Sequence, residues 1–290
     1  MKYIDRRNFL KQAMTGLSII VMPIKAANGN KQISTDKGFT AHDRVILGKT
    51  GIETSRLALG SGTIGGRKQS NQTRLGMEKF VSLIRHGYER GITFWDSADQ
   101  YGSHSHFKEA LKYVPREKVV ILTKTSSRNA LNMKKDIERF RQELGTDYID
   151  VILLHCMMNE NWTETMKGVI EILTEAKESG IIRAHGASFH SLGALKSAVK
   201  SPWTDVILAR INHAGSHMDS EPDNVIPILK EGNISGKSIL GMKIVGEGDL
   251  RNQIDKSINF VLNLKFVDAI TVGFESTGEL DDVIKKISEV

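Results

Sequence analysis

From Arg44 onward, the 290-residue chain alternates eight short apolar runs with longer amphipathic segments. The runs are Arg56–Gly62, Thr93–Ala98, Val119–Thr125, Asp150–His155, Ile182–Phe189, Asp205–Asn212, Ser238–Val245 and Ala269–Phe274. Each is apolar nearly throughout, the pattern of a parallel strand covered on both faces. Between them lie helical periodicities at Met77–Arg90, Met133–Leu144 and Thr163–Ser179, followed by Gly91, Gly145 and Gly180. Glycine just past the last helical residue supplies the left-handed turn that ends a helix. Eight strand–helix units in roughly 245 residues predict an α/β chain folded as a (β/α)8 TIM barrel.

A doubly wound sheet is the structural competitor. Gly60-Ser61-Gly62-Thr63-Ile64-Gly65 follows a strand and fits the dinucleotide fingerprint G-x-G-x-x-G. The segment after it, Arg67 to Thr73, is polar and turn-like, and the second strand ends without an acid about 20 residues on. These two departures reject that fold.

In a barrel, chemistry belongs at the C-terminal ends of the strands. Those ends carry Asp96, Lys124, His155, Ser188, Asn212 and Lys243. Buried Asp and Lys should pair, because isolated charges are expensive to bury. Tyr101 lies five residues beyond Asp96. A lysine beside it is expected to lower its pKa by favouring the phenolate. A tyrosine so tuned can give a proton to a carbonyl oxygen or take one from an alcohol, with His155 bonding the substrate oxygen. The missing part is a hydride source, which implies a nicotinamide cofactor.

Over residues 44–288 the sequence resembles the aldo-keto reductase superfamily, in an exported bacterial form. The resemblance rests on Arg44–Gly51 with Ser55-Arg56-Leu57, on Phe94–Gly102, on Leu122–Thr125 and on Leu153–His155. It implies an N-terminal β-hairpin plugging the barrel, and a catalytic tetrad of Asp96, Tyr101, Lys124 and His155. Tyr101 would be the general acid/base, tuned by Lys124 and Asp96, with His155 orienting the carbonyl. For the cofactor it implies Gly62 and Thr63 beneath the nicotinamide, with Asp96 and Ser188 nearby. Phe189 replaces the usual Asn, Leu208 a common Gln, and Met242 a stacking aromatic. Asn212 matches, and Lys243 would reach the pyrophosphate. The adenosine end would be held by Gly273, Glu275, Ser276 and Asp282, with no Lys or Arg for a 2′-phosphate. The expectation is NAD or NADP, with NAD accepted at least as well because Glu275 and Glu279 would repel the phosphate.

The N-terminus reads Asp5-Arg6-Arg7-Asn8-Phe9-Leu10-Lys11, then an apolar run from Ala13 to Ile24. It resembles a twin-arginine export signal, which implies the translocase as a partner and a periplasmic destination. The expected organisation is a signal over 1–27, a linker over 28–43 and the barrel over 44–290. The formal charge of +6 and pI near 9.2 invite a nucleic-acid partner. Removing the basic residues of the signal leaves about +2, so no nucleic-acid patch is expected. No apolar run reaches membrane-spanning length, so no stable membrane insertion is expected. A single cysteine, Cys156, closes no internal disulfide. The chain stops at Val290, directly after the eighth helical segment. That implies an open mouth, suited to something larger than a simple aldehyde, such as a sugar.

Two other classes compete. His104, His106, His155, His185, His190, His213 and His217 invite a metal-dependent barrel hydrolase. The His-x-His pair follows the second strand rather than the first, and no metal ligand set is assigned. A non-catalytic barrel that binds nucleotide and senses redox state, or docks a partner, is the other. The four residues of the tetrad argue against it.

Overall fold

The computed structural model describes residues 38–290. The expected signal, 1–27, and most of the linker lie outside the described residues. Strands β1 (Arg44–Ile46) and β2 (Glu53–Ser55) form an antiparallel hairpin, with Arg44 opposite Ser55. Eight strands follow: β3 (Leu57–Gly60), β4 (Phe94–Asp96), β5 (Val120–Thr125), β6 (Ile149–Met157), β7 (Ile182–Phe189), β8 (Val206–Arg210), β9 (Ser238–Met242) and β10 (Ala269–Gly273). All pair in parallel, and β10 closes the ring on β3. Each falls on one of the eight apolar runs, with β6 extending beyond its run at both ends.

The helices are α1 (Asn71–Arg74), α2 (Met77–Glu89), α3 (His104–Ala110), α4 (Ala130–Leu144), α5 (Trp162–Thr165), α6 (Lys167–Glu178), α7 (Leu192–Lys200), α8 (Pro222–Ile234), α9 (Ile254–Asn263) and α10 (Thr277–Ser288). In α2 the buried residues Phe80, Val81, Leu83, Ile84 and Gly87 form the apolar stripe that faces the sheet. Helix α4 starts three residues earlier than its apolar periodicity. Asn129 caps it there, its side chain accepting from the Asn132 amide at 2.9 Å. The segment expected as one helix over Thr163–Ser179 is two, separated at Met166 (φ −102°, ψ 8°). The polar stretch before α2 contains the one-turn helix α1, closed by a reciprocal Ser70–Thr73 capping box.

The apolar residues divide into two layers. Inside the barrel, Phe94, Leu122, Leu153, Leu208 and Leu240 pack with Leu47 and Ile52 of the hairpin turn. Both hairpin residues are fully buried, each worth about 1.5–3 kcal/mol. They stopper the N-terminal end, as the Lys49 amide bonds Gly236 O, which precedes β9, at 2.9 Å. The outer layer lies between ring and helices. The barrel also takes in residues 38–43, expected as linker. Ala41 is buried, and Arg56 bonds Asp43 at 3.1 Å while its guanidinium stacks 5.0 Å from the Phe39 ring. These contacts pack residues 38–43 against the barrel.

Candidate active site

Strands β4 and β5 end side by side, which brings Asp96 and Lys124 together. Both are buried, and Lys124 Nζ forms an ion pair with Asp96. The ammonium also donates to Ser97 O at 2.7 Å, and Asp96 accepts from Thr271 Oγ1 at 2.9 Å. These bonds offset the cost of taking both charges out of water.

Tyr101 ends a single 3-10 turn, Asp99–Tyr101, closed by Gly102 at φ 68°. The turn is tied down from two sides. Lys68 and Arg139 both pair with Asp99, and the Lys68 amide donates to Gln100 O at 2.9 Å. The tyrosine ring lies against the loop after β3. A Cβ on Gly62 would stand 2.2 Å from the ring's Cε2, and one on Gly65 would stand 2.5 Å from Cδ1. The G-x-G-x-x-G spacing therefore makes room for a phenol ring.

Lys124 Nζ sits 5.0 Å from the Tyr101 ring centroid. Tyr101 Oη lies 3.4 Å from His155 Nε2, with the two rings nearly perpendicular. The expectation that Lys124 lowers the phenol pKa is reversed. Burial first, then the negative charge of Asp96, push it well above the ordinary tyrosine range. Lys124 spends its charge on Asp96, so the phenol stays protonated. His155 is held down to about 3 by burial, then by Lys124, His190 and Arg128, so its imidazole is neutral. It occupies an irregular part of β6, where the pairing with β7 shifts between Leu154 and Met157 and Cys156 adopts φ 58°.

A cleft of about 480 Å3 runs from this cluster across the ends of β3, β10 and β9 to the start of α10. It gathers the predicted residues Gly62, Thr63, Asp96, Met242, Lys243, Gly273, Glu275 and Asp282 beside Tyr101 and Lys124. Three predicted cofactor residues have other work. Asn212 spends both amide hydrogens on Ser216 O and Lys243 O, and its oxygen accepts from the Ala214 and Ser216 amides. With its bonding capacity used, it ties the loop after β8 to that after β9. The Ser188 hydroxyl, 1% exposed, accepts from the Cys156 amide at 2.9 Å and steadies that strained residue. Ser276 caps α10, accepting from the Glu279 amide at 3.2 Å. Lys243 lines the cleft but pairs with Glu247 at 2.6 Å, which competes with the expected pyrophosphate contact.

The structure adds residues that no motif singles out. Gln72 is buried and braces the Thr63 loop, bonding Thr63 N at 3.0 Å and Thr63 Oγ1 at 2.9 Å. Asn71 donates to Glu275 at 2.6 Å, and Arg251 lines the cleft wall. In sequence all three sit among polar neighbours and look like solvated loop. A nicotinamide dinucleotide fits what is present. The cleft has the size of a cofactor site. Arg251, without an ion-pair partner among the described residues, and the N-terminus of α10 face it with positive charge.

His104 and His106 are buried on α3. His104, Asp99 and Glu143 bring possible metal-binding atoms within 4.8 Å of one another. All are already engaged. His104 bonds Glu143 and Thr123, each at 2.7 Å, and Arg139 pairs with both Asp99 and Glu143. The cluster is a satisfied charge network that braces the Tyr101 turn against α4.

The model of the aldo/keto reductase family matches residues 56–289. The chain is 25% identical over 214 residues to an NADH-specific methylglyoxal reductase of Escherichia coli, covering 66% of this chain and 64% of that protein. It is 26% identical over 253 residues to an aldo-keto reductase of Alternaria alternata, covering 72% and 67%. The fold is also that of an aldo-keto reductase of Bacillus halodurans solved in its holo form. There the TM-score is 0.70 at 19% identity, over 84% of this chain and 90% of that one.

Proposed function

We propose that this chain, which belongs to the aldo/keto reductase family, is an oxidoreductase that interconverts a carbonyl and an alcohol, with Tyr101 as general acid/base. The observation that carries the reading is geometric: the Tyr101 hydroxyl lies 3.4 Å from His155 Nε2, beside a buried Lys124–Asp96 pair, at one end of a cofactor-sized cleft.

A bound nicotinamide supplies the hydride. The chain's own residues do the rest. His155 positions the carbonyl oxygen near Tyr101 without adding charge. Tyr101 Oη gives its proton to that oxygen as negative charge grows there. Lys124 stabilises the phenolate left behind, and Asp96 holds Lys124 in place. Gly62, Thr63, Met242 and Gly273 would flank the nicotinamide end, and Arg251 would meet the pyrophosphate.

At the adenosine end, Glu275 is held by Asn71, and Glu279 accepts from the Glu275 amide at 2.7 Å. Two fixed carboxylates oppose a 2′-phosphate, so NAD is accepted at least as well as NADP. The NADH specificity named for the Escherichia coli relative points the same way.

Tyr101→Phe is expected to lower kcat by about 100- to 10,000-fold and leave nucleotide binding within twofold, read by quenching of protein fluorescence. Wild-type protein that binds nucleotide but turns over no carbonyl or alcohol would instead favour a redox-sensing barrel. NADPH binding well above NADH in the same titration would overturn the cofactor assignment.

The reading extends to location. Residues 1–27 are taken as a twin-arginine signal that delivers the folded barrel, with cofactor, to the periplasm. Replacing Arg6 and Arg7 with Lys is expected to hold the protein in the cytoplasm; unchanged export would refute the route.

A further inference from the structure

Arg128 stands in the loop between β5 and α4, on the side of the mouth away from the dinucleotide cleft. Its Nη2 donates to His155 O at 2.8 Å and its Nη1 to Ser127 O at 3.2 Å. Both acceptors are uncharged backbone carbonyls. Among the described residues no carboxylate pairs with it, whereas Lys124, Lys243 and Arg210 pair with Asp96, Glu247 and Asp219. A guanidinium has five N–H donors, so three remain uncommitted.

The group is fixed rather than trailing. Thr125 Oγ1 and Ser127 Oγ both donate to Asp136 of α4, at 2.7 and 2.6 Å, and the Ser127 amide donates to Thr125 Oγ1. The loop that carries Arg128 is therefore tied to the helix behind it. The guanidinium stands exposed at the rim, and partial burial lowers its basicity. His155 and His190 are held neutral, and burial keeps the Cys156 thiol protonated. An anion arriving at this rim meets one preorganised positive charge with no protein anion competing for it.

Resting on the oxidoreductase reading above, we infer that the substrate is a carbonyl compound bearing a carboxylate a few bonds from the reacting carbon, and that Arg128 binds this carboxylate. The residue that bonds Arg128 through its backbone, His155, is the one whose ring faces Tyr101. A single residue therefore spans the distance between the reacting oxygen and the guanidinium. One guanidinium matches one carboxylate with two parallel N–H bonds. A phosphate monoester, nearly doubly charged, calls for further cations, and those nearby are already paired.

The test uses the full chain with saturating NADH and two aldehydes that differ only in charge, 4-carboxybenzaldehyde and methyl 4-formylbenzoate. Wild type is expected to favour the acid. Arg128→Ala should lower the acid-to-ester ratio of kcat/KM by about 10- to 100-fold, mainly through KM, and Arg128→Lys should restore part of it. Glyceraldehyde and its 3-phosphate form a second pair. A larger Arg128-dependent preference for the phosphate would replace the carboxylate assignment. Turnover of the ester with no preference for the acid, or a ratio unmoved by Arg128→Ala, overturns the inference and leaves the oxidoreductase reading standing. Failure of every aldehyde, with NADH and NADPH alike, sinks the oxidoreductase reading and this inference with it.

Discussion

Lowering the pH from 7 to 5 is expected to destabilise the barrel through three histidines that fold neutral. His155 is held down to about 3 by burial and by Lys124, His185 to about 4 by burial, its ring stacked 4.3 Å from Trp203, and His190 to about 4 by burial and by Arg210. Above pH 6.5 all three are neutral whether the chain is folded or not, and they add no pH dependence. As pH falls through 6.5 the unfolded chain takes up a proton at each and the folded chain does not. Stability is therefore lost steadily until the folded values are reached. Each site contributes about 1.4 kcal/mol per pH unit within that window, so the three together cost about 5 to 6 kcal/mol by pH 5. That is a large share of the 5–15 kcal/mol typical of a domain. Carboxylates with lowered values act elsewhere. Glu143, at about 2 through His104 and Arg139, loses its contribution only as pH falls below its unfolded value near 4.5. Urea unfolding at pH 7, 6 and 5 measures the effect, and the slope of stability against pH should correspond to about three protons. His155→Gln should remove about a third of that slope. Equal stability at pH 7 and 5, or a slope unmoved by the substitution, would show that these imidazoles are not buried as described.

Two further outcomes follow from the ion pair and from the glycines. Lys124→Met leaves Asp96 buried without its cation, which is expected to cost about 3–5 kcal/mol, read as a lowered urea midpoint, and to abolish turnover. Adding Asn at Asp96 in the same chain should recover much of the stability and none of the activity. Gly62→Ala places a methyl 2.2 Å from the Tyr101 ring and is expected to cost about 1–3 kcal/mol of strain. Because the ring must shift, kcat should fall at least tenfold with a smaller change in nucleotide affinity; unchanged kcat would mean the ring does not rest on this loop.

Much of this architecture is legible in the sequence, for a physical reason. A strand covered on both faces has to be apolar throughout, so the runs at Val120–Thr125 and Val206–Arg210 stand out from their surroundings. Asp96 and Lys124 are conspicuous because charged residues inside such runs need a partner. What escapes is whatever depends on direction. Asn212 falls at the expected strand end, yet its amide turns to neighbouring backbone. Lys124 is close to Tyr101, but Asp96 and burial decide the sign of the phenol's shift. His104 and His106 look like a polar loop because the short helix that buries them lacks a strong apolar stripe. Gln72 and Arg128 owe their positions to contacts between segments far apart in the chain. Local patterning does not record such contacts.

The hairpin turn that seats Leu47 and Ile52 in the lower end of the ring has a consequence for traffic. With that end filled by side chains, the described barrel is a cup rather than a tube. Whatever reaches Tyr101 arrives over the rim and leaves over it. Under the proposed function, a cofactor along the β3–β10 wall and its substrate would share one opening. Changes at the rim, around Arg128 or Arg251, would alter the order and pace of exchange while leaving the chemistry at the floor of the cup untouched.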